Sequence, residues 1–185
     1  PDMGTNEIDM GHIRDCISYS DGTSITSGCY VTGKPVILGG IVGRREATGQ
    51  GVVYTTQAAC QQKNLELGKA RVVVQGFGNV GSVAAKGLFD LGATIIAVSD
   101  VSGGIFHSNG LDINAVIEHV KQTGYVKGFT GAKDITNAQL LETPCEILVP
   151  AATQSQITSD NAPCIQTQII AEGANSPTTP AADEI

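Results

Sequence analysis

Arg71–Asp100 reads RVVVQGFGNVGSVAAKGLFDLGATIIAVSD, and this stretch decides the fold. Val72, Val73 and Val74 make a short β-branched run suited to a buried strand. Gly76, Gly78 and Gly81 follow with Gly-x-Gly-x-x-Gly spacing, and each has a separate task. Gly76 permits a tight strand-to-helix turn, Gly78 lets the backbone approach a diphosphate, and Gly81 lets the helix lie close to the strand. From Val80, small or apolar residues recur at Val83, Ala84, Gly87, Leu88 and Leu91, one face of a helix that Gly92 ends. Ala93 to Val98 reads as a second buried strand. Asp100 closes it about twenty residues after the third glycine, where a carboxylate can accept a hydrogen bond from a nucleoside ribose. An ordinary βα turn followed by a solvated Asp explains the glycines alone. Strand, turn, helix, strand and acid in register point to the first βαβ unit of a dinucleotide-binding domain.

Upstream, a helix is expected from about Arg45 to Leu67, with Val52, Thr56, Ala59 and Cys60 on its apolar face and Gly68 at its end. Thr48 falls in its first turn, where the hydroxyl and local N–H groups can face a cofactor. Val31 to Gly43 is glycine-rich and irregular. Before it, Ile8, Met10, Ile13 and Ile17 fit an amphipathic helix loosely, with Thr5 or Asn6 as cap, and Asp21-Gly22 and Ser27-Gly28 mark turns.

Downstream, Val101 to His107 reads as a turn and a short extended piece, and Asn109-Gly110 as another turn. Asp112 is the N-cap of a helix from Ile113 to about Thr123. A brief helix over Thr136 to Glu142 stops before Pro144. Glu146 to Val149 and Gln168 to Ala171 read as further buried strands, with a short helix near Asn161 between them. Ligands of open α/β sheets sit beyond the carboxyl ends of the strands. That rule gathers Gly76 to Asn79, Asp100, Ala151, Ala152 and Thr153, and Gly173 to Asn175 around one crevice. The expected fold class is α/β: Rossmann-like and doubly wound, with a mostly parallel sheet and helices on both faces.

Composition narrows the function classes. With 185 residues, 41% of them hydrophobic and 16% charged, the chain has the balance of a globular domain, and no apolar run approaches a membrane span. A net charge of −7 argues against a nucleic-acid partner, since Lys34, Arg44 and Arg45 are too few to make a basic face. Cys16, Cys29, Cys60, Cys145 and Cys164 are odd in number and contain no CxxC pair, and His12, His107 and His119 lack metal-ligand spacing. The expectation is reduced thiols and no metal site.

Five runs in order complete the reading: Pro1 to Glu7 (PDMGTNE), Val31 to Pro35 (VTGKP), Gly43 to Gly51 (GRREATGQG), Gly76 to Gly81 (GFGNVG) and Glu172 to Pro180 (EGANSPTTP). This ordered set resembles glutamate dehydrogenase, of the glutamate, leucine, phenylalanine and valine dehydrogenase family, over nearly the whole chain. The resemblance implies oxidative deamination of L-glutamate to 2-oxoglutarate and ammonia, with hydride transfer to NAD or NADP. It places the catalytic, proton-shuttling carboxylate on Asp2 and nicotinamide-side contacts on Thr48 and Asn175. Asn79 becomes a contact near the phosphates or ribose, within a turn that includes Phe77 and Val80. Lys34, Arg44 and Arg45 match family positions but read first as surface or ion-pair residues. NAD is favoured over NADP, because Asp100 repels a 2′-phosphate and Val101 and Ser102 supply no cation for one.

The resemblance divides the chain into a remnant of the substrate domain and hinge over 1–38 and a dinucleotide-binding domain, C-terminally truncated, over 39–185. The family's catalytic lysine and substrate-holding lysines precede the PDMGT-like run, and Thr179-Pro180 looks like the start of a helix that is cut short. The 185-residue chain alone is therefore expected to bind dinucleotide without turning over glutamate, while the full-length protein is expected to be a cytoplasmic hexamer. A dehydrogenase for leucine, phenylalanine or valine and a non-catalytic nucleotide sensor are the alternatives.

Overall fold

Val72, Val73 and Val74 lie fully buried in the central strand, β1 (Arg71–Gln75), where their side chains alternate between two hydrophobic layers. A computed structural model describes residues 4–20 and 29–185 of the chain, which fall into two units, Pro1–Ala47 and Thr48–Ile185. Asp2, Asp21-Gly22 and Ser27-Gly28 lie outside the described residues.

In the first unit, α1 (Glu7–Ser20) is capped by Asn6, whose Oδ1 accepts from Ile8 N at 2.7 Å, while Asp9 Oδ2 accepts from Asn6 N at 2.8 Å. Its buried Gly11 faces Pro35 and Leu38, beside a 3₁₀ turn over Val36–Leu38. Lys34 Nζ donates to Val31 O at 2.9 Å.

Helix α2 (Arg44–Lys63) ends earlier than the expected Leu67. Asn64 takes φ 54°, Asn64 N donates to Gln61 O at 3.2 Å and Leu65 N to Cys60 O at 2.9 Å. Together these bonds make a Schellman closure with Asn in the left-handed position, so Asn64 and not Gly68 terminates the helix. Gly68 lies in a 3₁₀ turn, Leu67–Lys69.

After β1 come α3 (Asn79–Asp90), β2 (Thr94–Asp100), β3 (Gly103–Phe106), α4 (Ile113–Thr123), β4 (Lys133–Ile135), α5 (Asn137–Leu141), β5 (Ile147–Pro150), β6 (Ile169–Ile170) and α6 (Pro180–Asp183). The sheet has the order β4-β3-β2-β1-β5-β6. β1 pairs parallel with β2 and β5, and β5 with β6; β2–β3 and β3–β4 are antiparallel. The doubly wound expectation holds, with one difference. No helix crosses over after β2: the chain returns through Val101 and Ser102, and Asp100 pairs with Gly103. The extended piece after Asp100 is thus a full strand, and β4 joins it at the edge.

One layer packs Val72, Val74, Ile95 and Val149 against Val52, Val53 and Cys60 of α2, Ala84 and Leu88 of α3, and Ile113 and Val116 of α4. The other packs Val73, Ala97 and Leu148 against Leu140 and Leu141 of α5 and Ala182 of α6. Each fully buried Val or Leu contributes about 1.5–3 kcal/mol. Asp112 caps α4 as expected, accepting from Asn114 N at 3.0 Å and Ala115 N at 3.3 Å, and Gly124 closes it at φ 85°. No helix among the described residues is long and apolar enough to cross a membrane.

Candidate dinucleotide site

Chain order reverses at β1, which receives β2 on one side and β5 on the other. Loops leaving the strand ends at such a point part to opposite faces and open a crevice. Ala151 N donates to Gln75 O at 2.8 Å, and Gly173 N and Ala174 N donate to Pro150 O at 3.0 and 3.1 Å. A Cβ on Gly173 would stand 2.9 Å from Ala151 Cβ and 3.1 Å from Val80 Cγ1. The turn at Gly76 to Gly81, Ala151 and the loop carrying Asn175 are therefore brought together, and Asp100 ends the adjoining strand.

The three glycines differ in what demands them. Gly76 takes φ 90°, and a Cβ there would lie 2.7 Å from Ala151 O. A Cβ on Gly81 would lie 1.8 Å from Gly76 O. At Gly78, with φ −82° and ψ −156°, a Cβ would meet nothing within 4 Å. Packing within the chain requires Gly76 and Gly81 but not Gly78, where glycine is favoured locally as an N-cap and no contact demands it. Gly78 is exposed and is the N-cap of α3, whose first amides have no acceptor within the helix. Open space beside the positive end of a helix dipole fits the oxygens of a diphosphate.

Asn79, Ala152 and Asn175 are exposed, and Asn175 precedes Ser176 at φ 47°. The Phe77 side chain is 7% exposed and packs in the core, which leaves only its backbone to face a ligand. Because α2 begins at Arg44, Thr48 is its fifth residue and not in the first turn. The Thr48 N–H belongs to the helix ladder, and its exposed hydroxyl is the group on offer. It precedes Gly49, where a Cβ would lie 2.6 Å from Val83 Cβ and 2.7 Å from Val80 O, so α2 lies tight against the start of α3.

Asp100 is not a bare strand-tip acid. Its Oδ1 accepts from Ser102 N at 2.7 Å and Ser102 Oγ at 2.5 Å, and its Oδ2 accepts from Val126 N at 2.7 Å. The carboxylate holds the β2–β3 turn and anchors the segment after α4. That occupies three of a carboxylate's roughly four lone-pair positions and leaves one for a ribose hydroxyl.

Two buried polar residues went unread in the sequence. Gln75 and Ser99, each 1% exposed, end the apolar runs of β1 and β2. Gln75 Nε2 donates to Gln156 Oε1 at 2.7 Å and Asn137 Oδ1 at 3.3 Å. Ser99 Oγ donates to Asn137 Oδ1 at 3.2 Å and accepts from Gly76 N at 3.4 Å. The signal was a hydrogen-bonding side chain on the last residue of one valine-rich strand and the penultimate residue of the next.

At the opposite end of the sheet, Arg71 grips Glu146 through Nε at 3.1 Å and Nη2 at 2.8 Å, and Arg71 N adds a bond of 2.8 Å. Hydrogen bonding from the Arg71 side chain holds the Glu146 carboxyl below its ordinary pKa. Burial pushes the neighbouring Cys145 thiol up to about 11. A cleft of about 720 Å³ borders β6, between Thr55, Thr56 and Ala59 of α2 and Thr178 to Pro180; none of the predicted site residues lines it.

The sequence model of the family described as Glutamate/Leucine/Phenylalanine/Valine dehydrogenase matches residues 39–185. The NAD-specific glutamate dehydrogenase of Staphylococcus aureus (strain COL) is 43% identical over 185 residues, covering 100% of this chain and 44% of that protein. Hetero-hexameric glutamate dehydrogenase from Thermus thermophilus, in a leucine-bound form, superposes with TM-score 0.91 at 33% identity, over 100% of this chain and 43% of its own. Plasmodium falciparum glutamate dehydrogenase gives TM-score 0.88 at 27% identity, over 99% of this chain and 41% of its own. The chain thus spans less than half the length of these relatives. With its glycine turn, reversed strand order and converging loops, it belongs to the Glu/Leu/Phe/Val dehydrogenase family.

Proposed function

We propose that residues 39–185 are the dinucleotide-binding part of an amino-acid dehydrogenase, that residues 1–38 belong to its hinge and substrate side, and that the whole protein deaminates L-glutamate with NAD as the favoured cofactor. The observation that carries this is Gly78: its missing Cβ would enter open space beside the first amides of α3, whereas Gly76 and Gly81 are required by backbone packing. The 43% identity to an NAD-specific glutamate dehydrogenase supports the substrate and cofactor.

In this reading the backbone of Gly76, Phe77, Gly78, Asn79, Val80 and Gly81 holds the diphosphate. The free lone pair of Asp100 accepts a ribose hydroxyl, and its charge opposes a 2′-phosphate. Ala151, Ala152 and Asn175, with the Thr48 hydroxyl, line the nicotinamide side. Asp2, placed by resemblance alone, carries protons to and from the substrate nitrogen. When bound, the nicotinamide supplies the acceptor for the hydride that leaves the glutamate α-carbon. Water then completes the release of 2-oxoglutarate and ammonia. Hexameric assembly and a cytoplasmic location are proposed for the full-length protein on the same kinship.

Calorimetric titration of the 185-residue chain with NADH and NADPH tests the reading. Binding of NADH, tighter than NADPH, is the expected result. Absence of heat with either nucleotide at millimolar concentration refutes the site, and tighter NADPH overturns the cofactor assignment alone.

A further inference from the structure

We propose that Gln75 is a positioning residue that keeps the two walls of the crevice in register, a role that rests on the dinucleotide reading above. Gln75 is the last residue of β1, aligned with Ser99 of β2 on one side and Pro150 of β5 on the other. Its carbonyl accepts from Ala151 N at 2.8 Å and its Nε2 donates to Gln156 Oε1 at 2.7 Å. Gln156 extends the connection. Its Nε2 donates to Thr153 Oγ1 at 3.0 Å, and its backbone N donates to Pro177 O at 2.7 Å, two residues beyond Asn175. The nicotinamide-side loops are thereby tied to the end of the central strand through one buried amide.

The other wall has its own tie. Ser99 Oγ donates to Asn137 Oδ1, which Gln75 Nε2 also reaches at 3.3 Å, but the bond that Ser99 Oγ accepts from Gly76 N does not pass through Gln75. Losing the Gln75 amide should therefore release the loops at Thr153 to Gln156 while the diphosphate turn keeps its place. Core packing alone does not account for an amide here. The three preceding residues are valines, and Gln75 Oε1, fully buried, meets no donor among the described residues. An apolar residue would fill the position without leaving an acceptor unsatisfied, so the amide is kept for the geometry it imposes.

The test compares a ligand that reaches both walls with one that reaches only the first. NADH and ADP are titrated into the unsubstituted chain, Gln75→Met, Gln156→Met and the double variant, with folding followed by chemical denaturation. Gln156 is only half-buried, so its variant keeps the question open should Gln75→Met fold poorly. The expected result is an NADH affinity about tenfold weaker in each single variant, with ADP affinity changed by less than about twofold. The losses in the double variant should be less than additive, since either single substitution already breaks the Gln75–Gln156 bond. Parallel losses for NADH and ADP, or additive losses in the double variant, overturn the proposal while leaving the dinucleotide site intact. Failure of the unsubstituted chain to bind either ligand removes the dinucleotide reading and this inference with it.

Discussion

Replacing Gly78 with Ala separates ligand affinity from folding, and replacing Gly81 with Ala does not. At Gly78 the added methyl meets no atom within 4 Å, and φ −82° is open to any L-residue. Its folded state is free of clashes, and the gain of about 0.4–1 kcal/mol from a stiffer unfolded chain is offset by Ala being a poorer N-cap of α3 than Gly, so net stability should change by less than about 1 kcal/mol. The methyl nevertheless stands where a diphosphate oxygen would approach the turn. One hydrogen bond to a charged group is worth about 1.5–3 kcal/mol. Losing it weakens NADH binding by about 10- to 150-fold. At Gly81 the methyl would lie 1.8 Å from Gly76 O, a backbone atom that must move. Overpacking of this kind costs about 1–3 kcal/mol or more, and the displaced turn loses its ligand as well. Urea denaturation reports the folding term and NADH fluorescence titration the binding term. A Gly78→Ala chain that folds normally and binds NADH as tightly as the parent refutes the reasoning, because the open side of the turn is then not the ligand side.

Three further predictions concern the scaffold. Glu146 has a depressed folded pKa, so its pairing with Arg71 stabilises the chain above the ordinary carboxylate pKa of about 4.3 and ceases to do so as pH falls through the folded value. With both partners partly exposed, Glu146→Gln should cost about 0.5–1 kcal/mol at pH 7, shrinking towards zero in acid; urea midpoints at a series of pH values check this, and a pH-independent offset would contradict it. Cys145, buried and raised to about 11, should resist iodoacetamide at pH 8 while exposed Cys16, Cys29 and Cys164 react, as peptide mass spectrometry would show; early labelling of Cys145 would mean that the β5 end opens. A Cβ on Gly87 would lie 2.7 Å from Val53 Cγ2, so Gly87→Ala should lose about 1–3 kcal/mol and Val53→Ala should restore part of it, whereas additive losses would argue against this close approach of α2 to α3.

The parts of the fold that were legible in the sequence are those set by neighbours in the chain. Asp112 caps α4 because capping acts within a few residues, and the glycine turn carries its own stereochemistry from Gly76 to Gly81. The α2 terminus was also local, but its signal sat on Asn64, a rarer left-handed residue than the nearby Gly68. The direction taken after Asp100 was less readable, since an acid before a short turn serves a ribose or an Asx turn equally well. β4 has three residues, two of them exposed, and no pattern to announce it. Gln75 and Gln156 are separated by 81 residues, and a single polar pair at that range leaves no periodic trace.

Those separations carry an entropic asymmetry into the crevice. The bond from Gly76 to Ser99 closes 23 residues of chain, whereas that from Gln75 to Gln156 closes 81. Loop-closure entropy grows with the logarithm of length, making the longer ring about 1 kcal/mol harder to close. The longer closure is the harder one to make from the unfolded chain, so during refolding the wall built from the later strands should gain amide protection after the shorter ring, as pulsed hydrogen exchange would show. A ligand spanning the crevice would clasp the ring whose closure costs the chain most.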